Sequence, residues 1–188
     1  MPIRVIAGKA KGRRLRMVPG ETTRPVMDRV KENVFNIIGP SVQGSRWLDL
    51  FAGTGSVGIE ALSRGAGFCL FLDSNRAAIR TIHQNLATAR LTEAAQVERS
   101  DALAFLRNSP GRGEGFEFIY VAPPQYRGLW REVLELIDAQ PDWLLPDGVV
   151  IVQIDPREYE PVPLEHLRLI DQRTYGNTRV CFYERPGE

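Results

Sequence analysis

Asp49 closes an apolar run, and Leu50-Phe51-Ala52-Gly53-Thr54-Gly55-Ser56-Val57-Gly58 follows it, a Gly53-x-Gly55-x-x-Gly58 pattern that opens a helical stretch. Glycines at this spacing allow a tight strand-to-helix turn, close approach of a ligand to the backbone, and a helix N-terminus aimed at that ligand. Nicotinamide, flavin and S-adenosylmethionine sites all use such a turn, so neighbouring residues have to discriminate. Asp73 stands 20 residues after Gly53, followed by Ser74. A carboxylate there accepts hydrogen bonds from ribose hydroxyls, or caps the next helix. Asp101, followed by Ala102, suits an adenine amino group, although Ser100-Asp101 is also a good helix N-cap.

Three features favour S-adenosylmethionine over a dinucleotide. Asp49 lies directly upstream of the turn, where a carboxylate repels a pyrophosphate and attracts a cationic amino or sulfonium group. A chain of 188 residues is too short to add a separate substrate domain to a dinucleotide-binding one. Ala122-Pro123-Pro124-Gln125-Tyr126 ends the fourth apolar strand, and its two prolines fix the backbone at the edge where such folds place ligands. The expected cofactor residues are Asp49, Phe51, Ala52, Gly53, Thr54, Gly55, Asp73, Ser74, Asp101 and Ala102, and the chemistry is methyl transfer.

Charge is unevenly distributed. Residues 1–31 hold nine basic side chains (Arg4, Lys9, Lys11, Arg13, Arg14, Arg16, Arg24, Arg29, Lys31) against Glu21 and Asp28; the rest holds 15 basic and 21 acidic ones. A basic arm on an acidic body suits a polyanionic partner. Cys69 and Cys181 sit inside apolar runs and read as buried thiols, which fits a reducing cytoplasm. Membrane insertion and secretion are not expected, because no long apolar run and no signal-peptide pattern occur. His83 and His166 are isolated and read as surface residues, and no metal-ligand cluster is expected.

The positioning elements follow from periodicity. Residues 3–7 and 13–18 read as a β-hairpin, and a helix after Pro25 sets Met27, Val30, Val34, Ile37 and Ile38 against Asp28, Arg29, Lys31 and Glu32 on the other face. Residues 39–45 read as a linker. Strands are expected near 46–50, 68–73, 95–99, 116–121 and 149–154, with helices near 55–64, 75–89, 101–107 and 128–139. Consecutive apolar residues at 69–72 and 149–152 imply burial on both faces and a parallel sheet. Residues 167–174 and 178–184 form a closing hairpin around Tyr175-Gly176-Asn177, unlike the usual dinucleotide fold. The expectation is α/β, a Rossmann-like class I methyltransferase with a doubly wound, mostly parallel seven-stranded sheet. Residues 1–40 would form an RNA-binding extension and 41–188 the catalytic domain.

With these motifs in view, the chain resembles the bacterial RsmD-type methyltransferases. The likeness rests on Ile6-Ala7-Gly8-Lys9-Ala10-Lys11-Gly12-Arg13, Thr23-Arg24-Pro25, Asp28-Arg29-Val30-Lys31-Glu32, residues 48–55, Glu60-Ala61-Leu62-Ser63-Arg64-Gly65-Ala66 and Tyr175-Gly176-Asn177-Thr178. The resemblance implies S-adenosylmethionine as donor and the 2-amino group of a guanine in small-subunit ribosomal RNA as acceptor, free or in an assembling subunit. Lys9, Lys11, Arg13, Arg14, Arg16, Arg24 and Arg29 would contact RNA phosphates, with a carboxylate near the cofactor as another partner for Arg24. One departure stands out: the family pattern has Asp or Asn before the two prolines and an aromatic directly after them, whereas here Ala122 stands before them and Gln125 intervenes before Tyr126. The Gln125 amide oxygen, with a carbonyl of Ala122 or Pro123, is expected to bind the acceptor amine while Tyr126 stacks on the base. Alternatives are an adenine in DNA or another RNA as acceptor, or an RNA-binding assembly factor without activity. A monomer is expected.

Overall fold

A computed structural model describes residues 3–20, 26–108 and 114–187. The chain divides into two compact units, Met1–Ser100 and Asp101–Glu188.

The first unit begins with a short antiparallel pair, β1 (Ile3–Arg4) and β2 (Arg14–Leu15), in the register Ile3↔Leu15. These strands are shorter than the sequence suggests, because the backbone between them turns to bond other elements. Ile6 and Ala7 N–H donate to the Glu60 carboxylate (2.9 and 3.1 Å), and Ala10 N–H donates to Ser63 Oγ (2.9 Å). Gly8 permits this approach, since a Cβ there would lie 1.9 Å from the Ser63 carbonyl oxygen. Thr23-Arg24-Pro25 falls outside the described residues.

Helix α1 (Asp28–Ile38) buries Val30, Val34 and Phe35, with Phe35 stacked on Trp47 at 5.4 Å. Its faces differ from the expected division. Met27 and Ile37 are exposed, while Lys31 is buried and its ammonium lies 3.3 Å from the buried Glu60 carboxylate and donates to the Arg4 carbonyl (2.8 Å). The linker contains a 3-10 turn, Gly39–Val42. Strands β3 (Arg46–Asp49), β4 (Phe68–Asp73) and β5 (Ala95–Arg99) pair in parallel, in the order β5-β4-β3. Helices α2 (Ser56–Ser63) and α3 (Arg76–Ala89) follow β3 and β4.

The second unit contains α4 (Ala102–Asn108), β6 (Phe116–Val121), α5 (Leu129–Ala139), β7 (Leu144–Ile154), β8 (Arg168–Tyr175) and β9 (Thr178–Glu184). β6 pairs with β7 in parallel, and β9 pairs antiparallel with both β7 and β8. β7 begins five residues before the expected start: an irregularity opposite Phe116–Phe118 and the left-handed Asp147 (φ 67°) carry it back to Leu144. Tyr175 pairs with Thr178, so the closing turn is the dipeptide Gly176-Asn177. The strand order is β5-β4-β3-β6-β7-β9-β8, a mostly parallel seven-stranded sheet closed by an antiparallel hairpin. Cys69 and Cys181 are free, buried thiols. No helix among the described residues is long and apolar enough to cross a membrane.

Candidate active site

Gly53 and Gly55 adopt φ of +56° and +80°, the left-handed region where a side chain is strained. Between them the chain reverses and Gly55 N–H donates to the Ala52 carbonyl (2.7 Å). Gly58 serves packing instead. A Cβ there would lie 2.3 Å from the Phe71 ring and 2.7 Å from Cys69 Sγ, so its absence lets α2 lie directly on β4. Phe51 is half-buried and Ala52 buried, its N–H bonded to the Leu72 carbonyl (2.9 Å).

Two carboxylates flank this turn. Asp49 is buried, and desolvation followed by the charge of Asp73 raises its carboxyl to about 7, against a smaller opposing effect from the Gly58 N–H. Asp73 accepts the Gly53 N–H and the Asn75 N–H, both at 2.9 Å. Each oxygen of Asp73 retains a lone pair, so the carboxylate can fix the turn and still accept a ribose hydroxyl. Ser74 is exposed, and its carbonyl accepts from the Arg99 guanidinium (3.0 Å).

The other expected residues lie in the second unit. Asp101 Oδ2 accepts the Ala104 N–H (2.9 Å), capping α4, with Ala102 buried at the start of that helix. Ala122 and Pro123 are half-buried, whereas Pro124, Gln125 and Tyr126 are exposed. Tyr126 holds φ +63°, uncommon for a bulky residue, and a bracket on the segment after β7 secures it. Its N–H donates to Glu158 (2.7 Å), its hydroxyl donates to Asp155 (2.7 Å), and Arg157 donates to that hydroxyl (2.6 Å) from a guanidinium 5.6 Å from the ring centroid. The hydrogen bond to Asp155 raises the Tyr126 phenol, keeping it protonated, while Arg157 holds Asp155 well below the usual carboxylate range. Asp155, Arg157 and Glu158 carry no motif signal, and periodicity alone did not reveal them.

Lys9, Lys11, Arg13, Arg14 and Arg16 are exposed, and none of these side chains is ion-paired among the described residues. Arg29 is exposed on α1, and Arg24 lies outside the described residues. His83 and His166 are exposed, and no group of three potential metal ligands occurs among the described residues.

The buried Asp49 carboxyl favours a cationic partner over an anionic one, and Asp73 retains acceptor capacity for a ribose; both fit S-adenosylmethionine. With the seven-stranded sheet and its reversed C-terminal hairpin, they define an S-adenosylmethionine-dependent methyltransferase fold. The RNA methyltransferase of Salinibacter ruber, solved with S-adenosyl-L-homocysteine, shares that fold (TM-score 0.64, 14% identity, 88% of this chain and 95% of that one). The family model described as Conserved hypothetical protein 95 matches residues 3–184, and the chain belongs to that family, the RsmD family its motifs resemble. It is 31% identical to the ribosomal RNA small subunit methyltransferase D of Escherichia coli K12 over 99% of this chain and 91% of that protein. The solved structure of Escherichia coli yhhF superposes with a TM-score of 0.86 at 32% identity, covering all of both chains.

Proposed function

We propose that this protein methylates the 2-amino group of a guanine in small-subunit ribosomal RNA, using S-adenosylmethionine, and that it works as a cytoplasmic monomer on an assembling subunit. Asp49 carries the donor assignment, because a buried carboxyl with a raised pKa at the head of a glycine turn calls for a cationic ligand. The rRNA acceptor rests on the small-subunit methyltransferases that this chain resembles at 31% identity and on the exposed cations of the arm.

S-adenosylmethionine, when bound, supplies an electrophilic methyl group on a sulfonium. Asp49 would balance a cationic centre of the donor, Asp73 would take its ribose, and Asp101 would meet the adenine amino group. Phe51, Ala52, Gly53, Thr54, Gly55, Ser74 and Ala102 would shape the remaining surface. Since the guanine amine lone pair is delocalised into the ring, the site has to hold both N–H groups and turn that lone pair out of plane. Gln125 Oε1 and a carbonyl of Ala122 or Pro123 would accept those N–H groups, with Pro124 stiffening the segment. Tyr126 would stack on a base taken out of its helix or already unpaired. Its phenol stays protonated and is not the base; the methylated amine is cationic and acidic enough to give its proton to water. Positioning and preorganised acceptors then supply the acceleration. Residues 1–40 form the RNA-binding extension in this reading, with Lys9, Lys11, Arg13, Arg14, Arg16, Arg24 and Arg29 on phosphates.

Mass mapping of ribosomal RNA from a deletion strain and its parent tests this acceptor. One guanine lacking a single methyl group in the deletion strain is expected; a missing methyl on adenine, or unchanged small-subunit RNA, would reject it.

A further inference from the structure

Asn85 lies on the apolar face of α3 among Ala78, Ile82, Leu86 and Ala89, and it is fully buried. A primary amide there is costly unless bonded. Its Oδ1 accepts the Arg16 N–H (2.7 Å), and its Nδ2 donates to the Arg16 carbonyl (3.1 Å) and the Thr54 carbonyl (2.8 Å). Both amide hydrogens are thus used, and all three bonds go to backbone. One end holds a residue of the basic arm; the other holds the Thr54–Gly55 peptide of the glycine turn.

This geometry assigns Asn85 as a positioning residue through which RNA binding on the arm and cofactor binding in the turn strengthen each other. The inference rests on the methyltransferase reading above. The Thr54 carbonyl and the Gly55 N–H belong to one peptide plane, and that N–H closes the turn on Ala52. A shift of the Arg16 backbone, as phosphates engage the arm, pulls on the Asn85 amide and tilts that plane. One buried amide, held on a helix, is all that spans the two backbone segments. Coupling of this kind is reciprocal: whatever factor RNA applies to cofactor affinity, the cofactor applies to RNA affinity.

The test is the dissociation constant of tritiated S-adenosylhomocysteine, by equilibrium dialysis, with and without saturating small ribosomal subunits from a deletion strain. Wild-type protein should bind about fivefold more tightly with subunits present. Asn85→Asp keeps the shape and the acceptor but loses both donors; its ratio should fall below about twofold, whatever its absolute affinity. A purely structural role would weaken binding equally in both conditions and leave the ratio unchanged. A wild-type ratio of one, or an equal ratio in a folded Asn85→Asp protein, would overturn the proposal. If that variant does not fold, Asn85→Ser and the wild-type ratio decide on the same criteria. Wild-type protein that binds no S-adenosylhomocysteine in either condition would reject the methyltransferase reading itself.

Discussion

At the residue scale, Asp49 and Gln125 have the clearest consequences. Asp49 has a folded-state carboxyl at about 7 against 3.8 when unfolded. The ligand-free fold therefore keeps a proton that the unfolded chain has lost, and Asp49 costs stability as pH rises from about 4 to 7, with no further loss above. A cationic ligand reverses the shift. Cofactor binding near pH 7 should release about half a proton from wild-type protein, and affinity should rise with pH up to and through 7. Asp49→Asn should lack that component and bind about 10–100-fold more weakly, measured by calorimetry in buffers of different ionisation enthalpy. For Gln125→Ala at saturating donor, turnover should fall about tenfold or more, since an acceptor of the amine N–H is lost at the reacting atom. Unchanged turnover would remove Gln125 from the chemistry. Asp49, Gly53 and Asp73 stood out in the sequence because their spacing is local. Asn85 and the Asp155–Arg157–Glu158 bracket did not, because their partners lie 29 to 69 residues away in the chain.

At the element scale, periodicity located most strands and helices because burial on one or both faces is written into neighbouring residues. It failed on Lys31, whose burial depends on Glu60, 29 positions further along. Glu60 receives Lys31, Arg64 (2.8 Å) and two arm N–H groups, which makes it the junction between α1, α2 and the arm. Burial pushes the Lys31 ammonium pKa down, with Glu60 partly restoring it. Glu60→Ala leaves that buried cation without its counter-charge and both N–H groups without their acceptor, so a loss of about 3–5 kcal/mol is expected, or roughly 10 °C in melting midpoint. Gly58→Ala drives a methyl group into Phe71 and should cost about 1–3 kcal/mol in denaturant unfolding while the glycine turn keeps its left-handed residues. The hairpin strands are shorter than the apolar pattern predicts for a related reason: bonds to Glu60 and Ser63 draw backbone away from the ladder.

At the scale of the whole molecule, a basic arm of exposed cations is docked by its backbone onto the unit that carries the glycine turn. Its basic side chains therefore remain exposed while the backbone serves the fold. Arg13→Gln, Arg14→Gln and Arg16→Gln combined should weaken RNA binding, and should reduce the slope of log affinity against log salt by about 3. S-adenosylhomocysteine affinity without RNA should be unchanged, because the Asn85 bonds use the Arg16 backbone. The fold class was clear from the alternating pattern and the closing hairpin. The placement of the arm was not, since three buried polar side chains (Glu60, Ser63, Asn85) decide it, and nothing local marks them as its partners.

Methyl transfer to small-subunit ribosomal RNA is read out without intermediaries by incorporation of tritiated methyl from S-adenosylmethionine into small subunits. The subunits come from a deletion strain, with subunits from the parent strain alongside. Incorporation should approach one methyl per subunit in the former, with little in the latter, and all of it should be in the RNA. Incorporation into neither, or equal incorporation into both, would contradict the assignment.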